Sequence, residues 1–338
     1  MPPHPHRPPE LAWQVFRGSE AIRCGLLSRH HLRGASWIRL RQDVYADARL
    51  DRDHALACRA ALLRMPAGAS IAGPSAAYLH GVEHAAGFTD DVHVLLPATV
   101  RADSQPGVRV HHAPMSSTRS GLLVPVGAAA ARTISAAGTA PHAGTASKPY
   151  APSSLDAAMI LAGPPHRTDP VTCAWETAVW ADPVKAVGII DGLLRAGSVS
   201  RSTLAGEAAR NAARPGGRRA SWVFGLTDGL AQSPPESHLR VRLVFAGLPR
   251  PVAQHPVRVS TGLILHPDLA WPEFRVAVEH GGQWHADADR TLLDRRRLNQ
   301  LVEAGWLVLH VTGRRLREEF PALVREIRAA LVARGWRP

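Results

Sequence analysis

Pro267-Asp-Leu-Ala-Trp-Pro272, followed by Phe274-Arg-Val-Ala-Val-Glu279, decides how this chain folds. Strand side chains alternate in direction, so Val276 and Val278 point one way and Ala277, Glu279 and Gly281 the other. The valine face reads as core, and Glu279 projects where its neighbours are small. Asp268 is read as ending the strand that begins at Gly262-Leu-Ile-Leu265, and Glu279 as ending the next one. The short connection through Trp271-Pro272 then sets both carboxylates side by side at one end of a sheet. Two facing carboxylates do not both stay ionised cheaply without a cation. Mg²⁺ answers that need with one or two carboxylates, waters and a substrate phosphate; Mn²⁺ could take the same place. The plainer alternative is that Glu279 is a solvated strand end.

Outward from that pair, a helix is expected over Pro235–Ala246, stopped by Gly247, with a short strand at Val257–Val259. A charged helix follows over Ala288–Ala304, ended by Gly305. Trp306–Val311 reads as a buried strand and Leu316–Arg334 as a final amphipathic helix. The order αβββαβα, hairpin strands first and a crossover later, predicts an α/β domain over 231–338 with a mixed sheet flanked by helices. Ser233-Pro-Pro-Glu236 matches a capping box, which gives Glu236 a local role. Arg295, Arg296 and Arg297 are phosphate contacts or the wet face of their helix.

At the other end, residues 11–50 read as a winged helix-turn-helix. Ser19–Gly25 forms one short helix, and Ser28-Arg-His-His-Leu-Arg33 a second, capped by Ser28. Trp37-Ile-Arg-Leu-Arg41 alternates apolar and basic residues as a wing strand, with Val44-Tyr45 returning beside it. A small mixed α/β region is expected over 51–127, with a helix at Asp51–Met65, another at Gly73–Gly81, strands at Val92–Leu96 and Val108–His112, and a weaker one at Leu122–Val126. Residues 128–170 collapse into Ala, Gly, Ser, Thr and Pro, too little apolar surface to offset chain entropy, and predict a disordered insertion. A helical linker region fills 171–230.

Composition narrows the partners. The 338 residues carry 40 Lys+Arg against 28 Asp+Glu, a formal charge of +12, which favours a polyanion. Arginine written freely by a GC-rich coding sequence gives the same excess. The only lysines are Lys148 and Lys185. Three scattered cysteines form neither a metal spacing nor a disulfide framework, as expected in a reducing cytoplasm. No apolar run reaches the ~18 residues of a membrane span.

Pro267–Pro272, Val276–Glu279 and His280-Gly-Gly-Gln-Trp-His285, in order with Pro234–Arg240, Ala246–Pro249, Asp294–Asn299 and Gly305–Val308, resemble the very-short-patch-repair-like endonuclease domains of the PD-(D/E)XK, or restriction-endonuclease-like, superfamily. The resemblance implies Asp268 and Glu279 as metal ligands, Glu236 as a third acidic group, and His285 as a histidine close to the site; on its own residues His285 is equally a polar turn residue. It departs at Gly281, where the superfamily expects a lysine, and no lysine occurs in the domain. Phe16–Tyr45 and Gly73–Gly81 resemble the N-terminal winged helix of AbiEi-type antitoxins. That implies DNA binding, with Arg29, His30 and Arg33 toward the groove, Arg39 and Arg41 on backbone phosphate, and a cognate toxin as partner. Two functions follow: a Mg²⁺-dependent DNA endonuclease, or a non-catalytic antitoxin-like regulator with a degenerate nuclease fold.

Overall fold

The computed structural model describes residues 6–113, 164–281 and 288–338, with the side chains of 113 and 281–295 outside that description. The protein is mixed α/β and divides into two compact units, 1–79 with 86–169, and 80–85 with 170–338. Among the described residues no helix is long and apolar enough to cross a membrane.

The first unit opens on an antiparallel sheet of β1 (Val15–Arg17), β2 (Trp37–Arg41) and β3 (Val44–Asp47), ordered β1-β3-β2. Its two faces bury different clusters. Phe16 and Trp37 meet edge to face, with centroids 5.1 Å apart, beside Leu11 and Leu27. Val15, Val44 and Ala46 pack with Leu56 and Ala60 of α2 (His54–Leu62), whose N-cap Asp53 accepts from Leu56 N at 2.8 Å. The helix α1 spans Gly18–Arg23. The second helix expected from Ser28 does not form. The chain makes a single 3₁₀ turn, His31–Arg33, in which Ser28 Oγ accepts from His31 N and His31 Nδ1 from Ser28 N. The turn buries no residue. So short a segment, stopped by Gly34 and without an apolar face, cannot offset the cost of helix nucleation.

Asp47 anchors the sheet's end. Its carboxylate is fully buried and accepts from Trp13 N and from Arg49 Nε and Nη2, the last at 2.6 Å. Burial pushes the carboxyl up, but the Arg49 and backbone donors outweigh it and hold it at about 2. The folded value lies below the unfolded one, so the stabilisation is present above about pH 4 and lost as pH falls toward 2. Asp47→Asn is expected to cost about 2 kcal/mol at pH 7, and urea melts of the two proteins should converge near pH 2.

A second sheet in this unit orders β4 (Ser70–Ile71), β5 (Val92–Pro97) and β6 (Val108–Ala113), with β5 and β6 parallel. The helix α3 covers Gly73–Leu79. The expected disorder does not extend to the end of 128–170: Ile71 N donates to His166 O and Thr168 N to Ile71 O, so 166–168 join this sheet. The strand expected at Leu122–Val126 and most of the insertion lie outside the described residues.

In the second unit, α4 (Pro170–Trp180), α5 (Pro183–Arg195), α6 (Arg201–Arg210) and α7 (Gly217–Leu226) precede α8 (Pro234–Phe245). A four-stranded sheet follows, ordered β12-β11-β10-β7, from β7 (Val252–Ala253), β10 (Leu269–Trp271), β11 (Val276–Gly281) and β12 (Leu307–Thr312). It is mixed: β11 runs parallel to β12 and antiparallel to β10. A separate hairpin, β8 (Val257–Arg258) with β9 (Ile264–Leu265), leaves between β7 and β10. Leu269, Trp271, Val276 and Val278 face α8 and the C-terminal helices, while Ala270 and Ala277 face Leu301 and Trp306. That reproduces the expected alternation.

Two expectations fail here. Asp268 does not end the Gly262–Leu265 strand; it precedes a new strand, β10, whose three residues read as a connection because Pro267 and Pro272 bracket them. The final helix is two: α10 (Gly313–Glu318) and α11 (Phe320–Ala333) break at Glu319, because Pro321 fits only the first turn of a helix. The crossover helix α9 spans Ala288–Glu303.

Candidate active site

Register brings the two acids together. Leu269 pairs with Val278 and Ala270 with Ala277 across β10 and β11. Asp268 stands one residue before that ladder, at the end of the sheet where β11 continues into Glu279, and alternation gives both residues the side that carries Ala270 and Ala277.

Asp268 is tied down from three sides. Its Oδ2 accepts from His280 N at 2.7 Å, and its Oδ1 accepts from Gln254 Nε2 at 3.3 Å. The same Gln254 nitrogen lies 3.4 Å from Glu236 Oε2, so one neutral amide spans two acids. Gln254 holds this place in a left-handed backbone conformation, φ 53°, with its N donating to Asp268 O at 3.2 Å and His266 Nδ1 3.0 Å from its carbonyl. Burial raises the pKa of Asp268, and the negative charge of Glu236 pushes the same way; the His280 N–H opposes both. No arginine or lysine pairs with Asp268 among the described residues.

Glu236 lies buried in the first turn of α8, accepting from Ser233 Oγ at 2.7 Å and Gln232 N at 2.8 Å. The expected capping box is not made: Ser233 donates to the acid instead of capping the helix backbone. Glu236 thus has both a local partner and a place beside Asp268.

Glu279 has a cation. Arg297, from α9, donates through Nε at 3.3 Å and pairs through a second guanidinium nitrogen at 3.2 Å. It also donates to His266 O, joining Glu279 to the turn before Asp268. Arg297 stands four residues before the buried Leu301, on the inward face of the helix, and that spacing marks it in the sequence. Gln254 carried no such signal, because an amide after a short strand has no periodicity to betray it. His285 lies outside the described residues.

Among the described residues no three His, Cys, Asp or Glu side chains gather as a metal cage. Mg²⁺ asks for less, one or two carboxylates with the rest water and phosphate. Two acids at one sheet end, Asp268 without an ion-pair partner among the described residues, fit that demand. The buried His280 Nε2 also has no hydrogen-bond partner among the described residues.

The N-terminal candidates scatter. Arg29, His30 and Arg33 are exposed on the loop and 3₁₀ turn, and Arg39 is exposed on β2. Arg41 is committed inside its own unit, donating to Pro106 O at 3.0 Å and Gly107 O at 2.8 Å. Burial lowers its pKa, and it braces the β5–β6 connection.

The chain is similar to two uncharacterized proteins from two strains of Mycobacterium tuberculosis, MT2308 and Rv2248, each 31% identical over 153 residues. That match covers 45% of this chain and 56% of each relative, so the chain spans about half the length of the curated relatives it matches. No family model matches, and no solved structure matches.

Proposed function

We propose that this protein binds DNA and that its C-terminal domain is a nuclease-type domain in which Asp268 and Glu279 hold Mg²⁺, or Mn²⁺, for phosphodiester hydrolysis. The observation that carries the reading is the sheet end: Asp268 stands one residue before the Leu269–Val278 pair, at the end where β11 reaches Glu279, and Gln254 joins Asp268 to Glu236. The resemblance of the same segments to very-short-patch-repair-like endonucleases supports it. A metal bound there would activate water and neutralise charge on the phosphodiester. Gln254 and the His280 N–H fix the Asp268 carboxylate, and Arg297 orients Glu279. The charge of +12 suits a polyanionic partner. Arg29, His30, Arg33 and Arg39 are exposed cations or polar groups free to meet phosphate.

A second reading is a DNA-binding, antitoxin-like regulator with a toxin partner and a silent nuclease fold. The Glu279–Arg297 pair favours it, since a guanidinium already neutralises one of the two acids. Gly281 favours it too, because no side chain stands where the superfamily's lysine would. Supercoiled plasmid incubated with Mg²⁺ or Mn²⁺ separates the two. The enzyme nicks it and Glu279→Ala does not; the regulator binds duplex DNA with affinity that falls as salt rises, metal or no metal. Equal nicking by wild type and variant, or binding indifferent to salt, removes the corresponding reading.

A further inference from the structure

The arginines of 200–226 are not spent alike. Arg210 pairs with Glu207, Arg214 lies over the Trp175 ring, and Arg219 donates to Ala178 O and Ala181 O. Arg201 gives one nitrogen to the neutral Thr227 carbonyl, and Arg218 is exposed; neither has a carboxylate partner among the described residues. Both stand at a cleft of about 730 Å³ between α6 and α7. Its volume lies within the roughly 300–1,000 Å³ of small-molecule pockets.

The walls are set by helical spacing. Ala205, Ala208, Ala209 and Ala212 recur at i, i+3, i+4 and i+7, so one side of the cleft is all methyl groups. Arg218, Ser221, Trp222 and Gly225 repeat the spacing on the other side, where Trp222 and Phe224 are the aromatic residues of the lining. Trp222 is 48% exposed. Phe245 of α8 backs it in a parallel stack, centroids 5.5 Å apart and planes 10° from parallel. An indole backed by Phe245 thus lines an open slot with many small side chains, with the Arg218 guanidinium and the remaining donors of Arg201 beside it.

We propose that this cleft is a nucleotide site, in which a base stacks on Trp222 and its phosphate is held by Arg201 and Arg218. Aromatic faces beside cations take bases regardless of sequence, because every base has a π-face. Arginine supplies forked donors that match phosphate oxygens. An acidic helix from a protein partner would satisfy the cations, but it has no planar group to match the Trp222 face. The nucleotide could come from a single strand or from free mononucleotide; the ring and phosphate are the same. The site shares no residue with the acidic pair and stands whether or not that pair is catalytic.

The test uses the full chain, labelled oligo(dT) followed by anisotropy, and AMP followed by calorimetry. Base stacking is worth about 1–3 kcal/mol, so Trp222→Ala should weaken binding roughly 5- to 100-fold, while Trp222→Phe keeps most of it. Arg218→Gln, at an exposed position, should weaken binding several-fold and flatten its salt dependence, and it carries the test if Trp222→Ala fails to fold. Oligo(dT) alone bound through Trp222 identifies a strand, AMP alone a free nucleotide, and both the shared site. Neither probe bound, or binding equal in wild type, Trp222→Ala and Arg218→Gln, overturns the proposal.

Discussion

Asp191→Ala is expected to destabilise the second unit by about 3–5 kcal/mol, the usual cost of breaking a buried ion pair from one side. Asp191 and Arg240 are each only 1% exposed and meet at 2.7 Å. The Asp191 carboxylate also accepts from Ser237 Oγ at 2.8 Å, Asp228 N at 2.9 Å and Gly229 N at 3.0 Å. Arg240 in turn donates to Leu226 O and lies 3.0 Å from Asp228. Removing the carboxylate strands three donors and leaves Asp228 as the remaining acid beside the guanidinium. Asp228 is a poor substitute, because burial raises its pKa, although losing the Asp191 charge relieves part of that rise. Exchanging both partners for apolar residues, as in Asp191→Leu with Arg240→Met, should cost less than either loss alone, since the guanidinium and its fully buried carboxylate partner then go together and only Asp228 loses a cation. Urea unfolding followed by circular dichroism measures all three. A loss under 1 kcal/mol for Asp191→Ala would show that the network adds nothing to stability. The network spans α5, the turn after α7, and α8, so it also fixes the helix that presents Glu236.

What the sequence disclosed follows from how far each signal reaches along the chain. Val276 to Glu279 alternates cleanly over a strand buried on both sides, and its facing was legible from four residues. Gly247 and Gly305 both take positive φ just past helix ends, as their spacing required. Leu269–Trp271 was missed because three apolar residues between prolines carry no period. Ser28–Arg33 was misread because a good cap residue says where a helix can start, not whether anything packs against it. The site followed the same rule. Asp268 and Glu279 were found because acids beside apolar strands stand out. Gln254 acts through a tertiary contact made 14 residues away in sequence, which local pattern does not encode, whereas the helical spacing of Arg297 from Leu301 shows its facing but not its partner 18 residues away.

Metal titration of the acidic pair gives the other large effect. Wild-type protein should bind Mn²⁺ or Mg²⁺ calorimetrically, and Asp268→Ala should lose at least tenfold in affinity, about 1.4 kcal/mol or more. Loss of one of two carboxylate ligands is the cause, and Asp268 matters most because it has no ion-pair partner among the described residues, whereas Glu279 has Arg297. Arg297→Gln should move the other way. A guanidinium 3.2 Å from Glu279 competes for the same oxygen and repels a divalent ion, so removing its charge should tighten binding. Opposite responses to Asp268→Ala and Arg297→Gln are the signature of a cation shared between the two strands. If both variants titrate like wild type, the acids are structural: Asp268 then serves only to close the β10–β11 end through the His280 N–H, and Glu279 only to pin α9 to the sheet.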